Sequence, residues 1–406
     1  MFTYKSTLLS ICISLFIYIE YLFNIDTNNY DIIIRLLNTI LSLYAFILIF
    51  ELTKKELFGS GFFIGIFWFW WIGYSFVYYN LSYLIPVIII GIGIVYGLLF
   101  FIIGLSNNIF YKVICIYTLS FIEPFGFNWF KIELPFINSY IGNSKIEFLI
   151  IIIISAIFVK YKDRYKKSIS LLYFAIVCIL ILFNTNNEKS INKPNLKIYQ
   201  YQSNIAQDKK WEKKYKRNII NDNFKNIDKA IQNNYELIIL PETAFPLVLN
   251  HQKNIQNQLL EKSKEIAIVT GALYEKNNQL YNSTYLFQNN TIQVAHKVVL
   301  VPFGEAVPLP EKLRDWINNV FYDGAQDYKT AKEATTFEIK GFKFRNAICY
   351  EATTDTIYKN LDTPYVIAIS NNAWFTPSHQ PTLQKLLLKY YEKKYNLKIL
   401  NITNQG

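Results

Sequence analysis

The sequence is poor in the residues that form disulfides and metal sites. Its 406 residues include four cysteines, three histidines and one methionine. Three of the cysteines lie inside long apolar runs of the first half: Cys12, Cys115 and Cys178. Cys349, in the second half, has no cysteine near it in the sequence, which excludes a structural disulfide there. The histidines show no metal-ligand spacing to Cys349: His251, His296 and His379.

The first half lacks long polar stretches. The chain is 52% hydrophobic and 17% aromatic, and nearly all of the apolar excess precedes residue 184. A helix needs roughly 20 apolar residues to cross a membrane, and the last two runs are shorter than the usual range. The first run lacks a small-residue cleavage site, so we expect it to be retained. The runs predict seven spanning helices: 8–23, 32–50, 61–79, 83–101, 109–125, 148–159 and 169–183.

The positive charges between these runs predict an orientation. Lys and Arg are enriched in cytoplasmic loops. With Lys5 inside, the inside loops carry Lys54 and Lys55, then Lys112, then the basic run at 160–167. The loops left outside have little net positive charge. Seven crossings then place the residues after 184 on the outer side of the membrane.

Acidic residues are fewer than basic residues, 30 against 41, and the net charge is +11. Excess positive charge is typical of nucleic-acid-binding proteins, but no known nucleic-acid-binding motif is present. The inside loops and an exposed helix at 208–234 account for much of the charge. We therefore expect no nucleic-acid partner. The basic face of that helix also suits anionic lipid headgroups.

The second half has the pattern of an α/β domain. A polar linker at 185–195 separates a transmembrane domain, 1–184, from a domain of 196–406. Short apolar runs there predict strands, and helical patterns at 208–234, 251–264 and 380–396 alternate with them. The predicted strands are LKIYQYQ, ELIIL, IAIVTGALY, YNSTYLF, TIQVAHKVVLV, TFEIK, FKFRNAICY and YVIAIS.

Chemically active side chains follow several of these strands. In open α/β sheets the ligand crevice lies beyond the carboxyl ends of the strands, where Glu242, Lys297, Cys349 and Trp374 occur. Each one alone also fits a simpler role. Glu242 suits a surface or helix-capping carboxylate, Lys297 a solvent-facing position, and Cys349 a buried inert thiol. Glu305, after Gly304, suits a turn.

The three groups together indicate a nucleophilic site. A carboxylate, an ammonium and a thiol each lie just past a strand, in the order Glu242, Lys297, Cys349. Such a set supplies a base, a cation for a tetrahedral intermediate, and a nucleophile. No histidine is required.

The segments LPETAFP, HKVVLVPFGEAVPLP, ICYE and NNAWF resemble the nitrilase superfamily, and specifically its membrane branch, the bacterial apolipoprotein N-acyltransferases. The resemblance implies a multi-pass helical membrane domain followed by an α/β, nitrilase-like αββα sandwich. It also implies a cofactor-free enzyme of the bacterial inner membrane, with its catalytic domain on the periplasmic side. In that family a phospholipid acyl chain passes to a cysteine as a thioester. It then passes to the α-amino group of the diacylglyceryl-cysteine of an apolipoprotein.

The same resemblance implies roles for individual residues. Glu242 resembles the general base, Lys297 the residue that stabilises the tetrahedral intermediate, and Cys349 the nucleophile. Glu305 matches a second glutamate that is needed for activity.

Four further positions match the family less directly. Tyr350 and Glu351 match the residues that follow the nucleophile. Glu351 is not expected to be the base, a role that falls to Glu242. Trp211 fits the pattern QxNIxQxxKW and would line the path of the substrate, and Trp374 corresponds to an aromatic residue near the acyl site.

The chain departs from the family at its end. Family members continue into further strands and a final membrane helix, whereas this sequence stops at NITNQG, so the eighth helix and the last strands are expected to be missing. Two other functions therefore stay open. One is a membrane-anchored amidase or nitrilase-like hydrolase, in which water resolves the thioester. The other is a degenerate, non-catalytic paralogue that binds lipid or lipoprotein.

Overall fold

The computed structural model describes residues 2–23, 31–187, 191–302, 304–306, 310–312, 314 and 327–405. The chain divides into two compact units. One comprises Met1–Lys189 and Pro377–Tyr390, and the other Ser190–Thr376 and Tyr391–Gly406. The predicted limits of the linker and of the two domains stay a prediction.

The first unit is helical. Its seven long helices each contain one of the predicted apolar runs or most of it. The run at 61–79 continues from α3 into a 3-10 helix, Trp70–Tyr79. The helices are α1 (Tyr4–Phe23), α2 (Asp31–Glu51), α3 (Lys54–Phe69), α4 (Ile85–Ile103), α5 (Ile109–Leu119), α6 (Lys145–Tyr161) and α7 (Lys166–Asn187).

Six candidate spans in the described part of the chain are long and apolar enough to cross a membrane. The helix outside this set is α6, which has 17 residues, so its crossing stays a prediction. The α7 helix is longer than its apolar run indicated, because Lys166–Ser168 and residues 184–187 continue it to 22 residues. Polar residues at both ends hid this length from a hydropathy pattern.

Local sequence explains where α3 and α6 begin and how α3 packs against α4. Thr53 before α3 and Ser144 before α6 both form capping boxes with a glutamate three residues later. Glycines let α3 and α4 approach closely. A Cβ at Gly61 would lie 2.4 Å from the Tyr96 carbonyl oxygen, and one at Gly65 2.8 Å from its ring.

The segment between α5 and α6 is largely buried from Asn128 to Asn143. Its most buried charge, Glu133, is fully buried. Lys145 Nζ and the Tyr390 hydroxyl donate to the same Glu133 oxygen at 2.5 and 3.0 Å. Tyr390 lies on α11 (Gln380–Tyr395), whose residues up to 390 pack with this unit. A buried carboxylate needs such partners, so the segment is part of the core of the unit.

The second unit contains two β-sheets. One has the strand order β1-β2-β4-β5-β6, with β3 paired to β4, and the other the order β10-β9-β8-β7. Pairing is parallel among β1, β2 and β4 and among β8, β9 and β10, and antiparallel elsewhere except for β3. The strands are β1 (Ile198–Gln200), β2 (Leu237–Ile239), β3 (Phe245–Val248), β4 (Ala267–Lys276), β5 (Gln279–Gln288), β6 (Thr291–His296), β7 (Thr336–Ile339), β8 (Phe342–Ile348), β9 (Tyr365–Asn371) and β10 (Lys398–Asn404).

The two sheets face each other across one hydrophobic core. Val269 and Leu286 of the first sheet belong to the same buried cluster as Phe344, Ile369 and Ile402 of the second. The opposite face of the first sheet is covered by helices α9 (Lys213–Gln232) and α10 (Lys253–Lys262). The short α8 (Gln207–Lys210) precedes α9. The predicted α/β character is confirmed.

Two strands were not predicted from the sequence. The segment that forms β3 has only four residues, and its Pro246 argued against a strand. In β10 the apolar residues Ile399, Leu400 and Ile402 do not alternate regularly with the polar ones. Full parallel pairing to β9 nevertheless forms along all seven residues of β10. The strands that were expected to be missing are those after NITNQG, so β10 is not one of them.

Gly271 on β4 determines how the loop after β2 packs. A Cβ at this position would lie 2.4 Å from the Thr243 backbone nitrogen and 2.7 Å from the Glu242 Cα. Thr243 has a φ of 48°, in the left-handed region that a threonine rarely adopts. The loop that carries Glu242 is thus held in an unusual conformation directly against a glycine.

We predict that Gly271→Ala displaces this loop and lowers the melting temperature. Overpacking of this kind costs about 1–3 kcal/mol, because no rotamer change relieves a contact with backbone. Thermal unfolding of the detergent-solubilised full chain measures the effect. Lys276→Ala, at the exposed end of the same strand, is the matched control. An unchanged melting temperature for Gly271→Ala would contradict the close packing.

Candidate active site

Glu242, Lys297 and Cys349 each follow the end of a strand, as predicted. Glu242 comes three residues after β2, and Lys297 and Cys349 come directly after β6 and β8. Glu242 and Lys297 are 6% and 0% exposed, which excludes the surface roles that each allowed alone. Cys349 is partly exposed. The structure therefore brings a buried carboxylate and a buried ammonium close enough to act electrostatically on the thiol of a partly exposed cysteine.

The Glu242 carboxylate is buried and bound by an amide. Asn282 Nδ2 donates to Glu242 Oε1 at 2.7 Å. Burial raises the pKa of Glu242, and Glu305 adds to this, whereas Lys297, Asn282 and Lys210 act in the opposite direction. A carboxyl group with a raised pKa is a stronger base than an ordinary glutamate once it is ionised.

Lys297 is paired with the second predicted glutamate. Its Nζ lies 2.6 Å from Glu305 Oε2. Burial alone would lower the pKa of Lys297, but Glu305 and Glu242 outweigh it and raise the pKa above its usual value. The side chain is therefore an ammonium ion at neutral pH. It provides a fixed positive charge inside the domain.

Glu305 is held by more than this ion pair. Its Oε2 accepts the Val301 N–H at 2.9 Å, and its Oε1 accepts Asn282 Nδ2 at 3.1 Å. An isolated bridge between Pro302 and Ala306 closes the loop around it. Glu305 is thus not a simple turn residue, because its carboxylate points back to Lys297.

Asn282 is a site residue that was not predicted. Its amide nitrogen joins Glu242 to Glu305, and it is 4% exposed. The sequence carries no distinct signal for it, since Asn282 is the first of three consecutive polar residues in the strand YNSTYLF. Only the pairing of β5 beside β4 shows which carboxylates it meets.

Cys349 has a strained backbone. Its φ is 55°, in a region that non-glycine residues occupy rarely and mostly at functional sites. Burial of the sulfur raises the pKa of Cys349 to about 12, and Glu242 adds to this; Lys297 and the Asn371 backbone N–H oppose it. The thiol is therefore neutral at physiological pH and needs a base to become a nucleophile.

The Glu351 carboxylate connects the end of the strand before Cys349 to the residues that follow Lys297. Its Oε2 accepts the N–H groups of Val298 and Val299 at 2.7 and 3.1 Å, and its Oε1 accepts the Ile348 N–H at 2.8 Å. Burial raises its pKa to about 7, against the effect of Lys297 and of these N–H groups. With its oxygens occupied by backbone donors, Glu351 positions the two loops.

The remaining predicted residues are one buried tyrosine and two partly exposed or exposed tryptophans. Tyr350 is 2% exposed, and Trp211, directly after α8, is 38% exposed. Trp374 ends a short 3-10 helix after β9 and is partly exposed. Their roles in binding a substrate stay predictions. A second residue that was not predicted is Lys210, which is buried and donates to the Glu242 carbonyl oxygen at 3.0 Å.

This arrangement suits covalent catalysis on an acyl compound. Two carboxylates, Glu242 and Glu305, and two amines, Lys297 and Lys210, act electrostatically on the Cys349 thiol. A base beside a thiol and a buried cation are the parts that acyl transfer through a thioester requires.

Comparison with known proteins places both parts of the chain. Residues 1–182 match the family model described as the apolipoprotein N-acyltransferase integral membrane domain. Residues 196–396 match the model described as carbon-nitrogen hydrolase.

Three relatives that match this chain over most of their length have the same name. A protein of Wolinella succinogenes is 40% identical over 98% of this chain and 92% of its own length. One of Helicobacter hepaticus is 37% identical over 91% and 92%, and one of Campylobacter jejuni 35% identical over 98% and 87%. All three are named apolipoprotein N-acyltransferase. With its apolar helices and its α/β domain, the chain is a multi-pass membrane protein that belongs to the apolipoprotein N-acyltransferase family.

Proposed function

We propose that this protein transfers an acyl chain from a phospholipid to the α-amino group of the N-terminal diacylglyceryl-cysteine of apolipoproteins. The observation that carries the proposal is that Glu242 and Lys297, both buried and each just past a strand, act on the thiol of Cys349, a partly exposed residue. Membership of the family supports the choice of substrates.

The first half-reaction forms a thioester. Glu242 takes the proton of the Cys349 thiol while the sulfur attacks the ester carbonyl of the phospholipid. The ammonium of Lys297 stabilises the negative charge of the tetrahedral intermediate. The carbon–oxygen bond then breaks, and the lysophospholipid alkoxide leaves with the proton that Glu242 had accepted.

The second half-reaction reverses these roles. The α-amino group of the acceptor attacks the thioester carbonyl, and Glu242 removes a proton from the attacking nitrogen. The carbon–sulfur bond breaks as the amide forms, and the sulfur regains a proton from Glu242. One cysteine thus serves both steps, because the acyl group visits the same atom twice.

The chemistry of the substrates fits a membrane enzyme. Donor and acceptor both keep acyl chains in lipid, whereas the ester and the amine must reach polar groups. The distribution of Lys and Arg between the helices supports a bacterial inner-membrane location with the α/β domain on the periplasmic side. The reaction as written needs no cofactor and no nucleic acid.

The first prediction concerns the thioester. Incubation of the full chain with phospholipid is expected to add an acyl group to Cys349 and to no other cysteine, because only this thiol has a base beside it. Mass spectrometry of the protein and its peptides measures the adduct. Cys349→Ala should abolish both adduct and transfer, while Cys178→Ala, within α7, should leave them unchanged. Active wild-type protein without an adduct would contradict the mechanism.

The second prediction concerns the base. Glu242→Gln is expected to slow thioester formation roughly 100-fold or more, the usual contribution of a positioned base. Only the ionised carboxylate accepts a proton, and burial raises the pKa of Glu242. The wild-type rate should therefore fall on acidification at a higher pH than for an ordinary glutamate.

A pH series of initial thioester formation tests this expectation. Glu261→Gln, which changes an exposed carboxylate on α10, is the matched control and should retain the wild-type profile. A Glu242→Gln protein with the wild-type rate and profile would exclude Glu242 as the base.

The third prediction concerns the acceptor. Cells that lack other N-acyltransferase activity should contain lipoproteins with a third acyl chain only when this protein is made. Mass spectrometry of lipoprotein N-terminal peptides measures the chain, with Cys349→Ala as the matched control. Release of free fatty acid without a third chain would instead indicate a hydrolase. If neither free fatty acid nor a third chain is found, the protein is non-catalytic.

A further inference from the structure

Lys210 is a buried amine whose function the proposed mechanism does not explain. It ends the four-residue helix α8 and is 1% exposed, whereas the preceding Lys209 is exposed. A lysine is costly to bury unless its amine is bound. The pattern QxNIxQxxKW has a lysine at position 210 and any residue at position 209, but it does not say which of the two side chains is buried. The fold therefore selects one of them for an interior position.

The amine of Lys210 holds the main chain of the proposed base. Nζ donates to the Glu242 carbonyl oxygen at 3.0 Å in a buried contact. Glu242 also packs against Gly271 of β4, where an added Cβ would lie 2.7 Å from the Glu242 Cα. The next residue, Thr243, has a left-handed φ of 48°. A backbone in this conformation needs fixed neighbours to persist, and Lys210 is one of them.

The α8 helix is also tied to the strand that neighbours the nucleophile. Gln207, at its start, accepts a hydrogen bond from Asn371 Nδ2 at 2.9 Å. Asn371 Oδ1 in turn accepts Asn404 Nδ2 at 2.8 Å, and the Asn371 backbone N–H lowers the pKa of the Cys349 thiol. One short helix thus contacts both the residue beside the thiol and the residue proposed as its base.

We propose that Lys210 is a positioning residue for the base, which fixes the main chain of Glu242 and places a positive charge beside its carboxylate. The proposal rests on the proposed function only in taking Glu242 as the base. It adds a second lysine, next to Trp211, to a site in which Lys297 alone was predicted.

The electrostatics agree with this geometry. Burial lowers the pKa of Lys210 to about 7, against the opposing effect of Glu242 and Cys349. The amine is therefore charged below neutral pH, where it favours ionised Glu242. Loss of Lys210 should raise the pKa of Glu242. The titratable and charged groups that act on this carboxylate or on its partners are Lys210 on α8, Lys297 after β6, Glu305 in the following loop, and Cys349 and Glu351 after β8.

Alkylation of Cys349 by iodoacetamide tests the proposal without any lipid substrate. The rate is followed for the detergent-solubilised full chain across acidic and neutral pH, and peptide mass spectrometry separates Cys349 from the other cysteines. Glu242→Gln identifies the part of the profile that depends on the base. Lys209→Met, an identical change on the exposed neighbour, is the matched control.

Lys210→Met is expected to move the acidic limb of this profile upward by up to about 1 pH unit, the low end of the effect of a nearby charge, because Lys210 acts on Glu242 less than Lys297 does. Thioester formation from phospholipid at neutral pH should fall roughly tenfold to 100-fold, since a displaced base loses alignment. Lys210→Arg, which keeps the charge, should retain the wild-type limb. Lys210→Gln keeps a donor and removes the charge, so it should shift the limb with a smaller loss of rate.

The proposal would be overturned if the acidic limb of the alkylation profile were the same for Lys210→Met as for the wild type and Lys209→Met. If Lys210→Met lacks a thermal transition, Lys210→Gln decides by the same criterion. The two proposals fail separately. Wild-type protein that forms no thioester with phospholipid contradicts the proposed function, while the alkylation profile still tests Lys210.

Discussion

The ion pair between Lys297 and Glu305, fully desolvated on the lysine side, is the interaction on which the site depends. Burying one ammonium or one carboxylate alone costs several kcal/mol, so each group must be held against its partners. Asn282 extends the pair to Glu242 through one amide group. The charges that surround the thiol are therefore one connected cluster, in which the position of each side chain depends on the others.

The cluster is rigid because backbone groups hold its members. Glu351 binds N–H groups on both sides of the gap between the Lys297 loop and the strand that leads to Cys349. Such bonds offset the cost of the left-handed backbone at Cys349, which is of order 1–3 kcal/mol. The Glu351 carboxylate thus supports the geometry around Cys349, and the proposed base, Glu242, follows a strand of the other sheet.

Sequence patterns were sufficient where one local property decides the structure. The long apolar runs predicted the helices, and the strand-end positions of Glu242, Lys297 and Cys349 followed from short apolar segments that end in polar residues. Sequence patterns were insufficient where the pairing of strands distant in sequence decides the structure. The strand β10 forms because β9 offers it a full parallel partner, although its own apolar residues alternate poorly. The burial of the segment before α6 was not predicted, because Glu133 is buried against Lys145 and against the hydroxyl of Tyr390, which is distant in sequence.

The sequence by itself determined that this is a membrane protein with an α/β domain, and it predicted Cys349 as the nucleophile. These properties depend on composition and on residues a few positions apart. The tertiary structure alone decided that Lys297 points inward, that Asn282 joins two carboxylates, and that Lys210 rather than Lys209 is buried. The physical reason is that a charged side chain can be buried only where partners from other strands meet it, and those partners are fixed by the pairing and packing of the sheets.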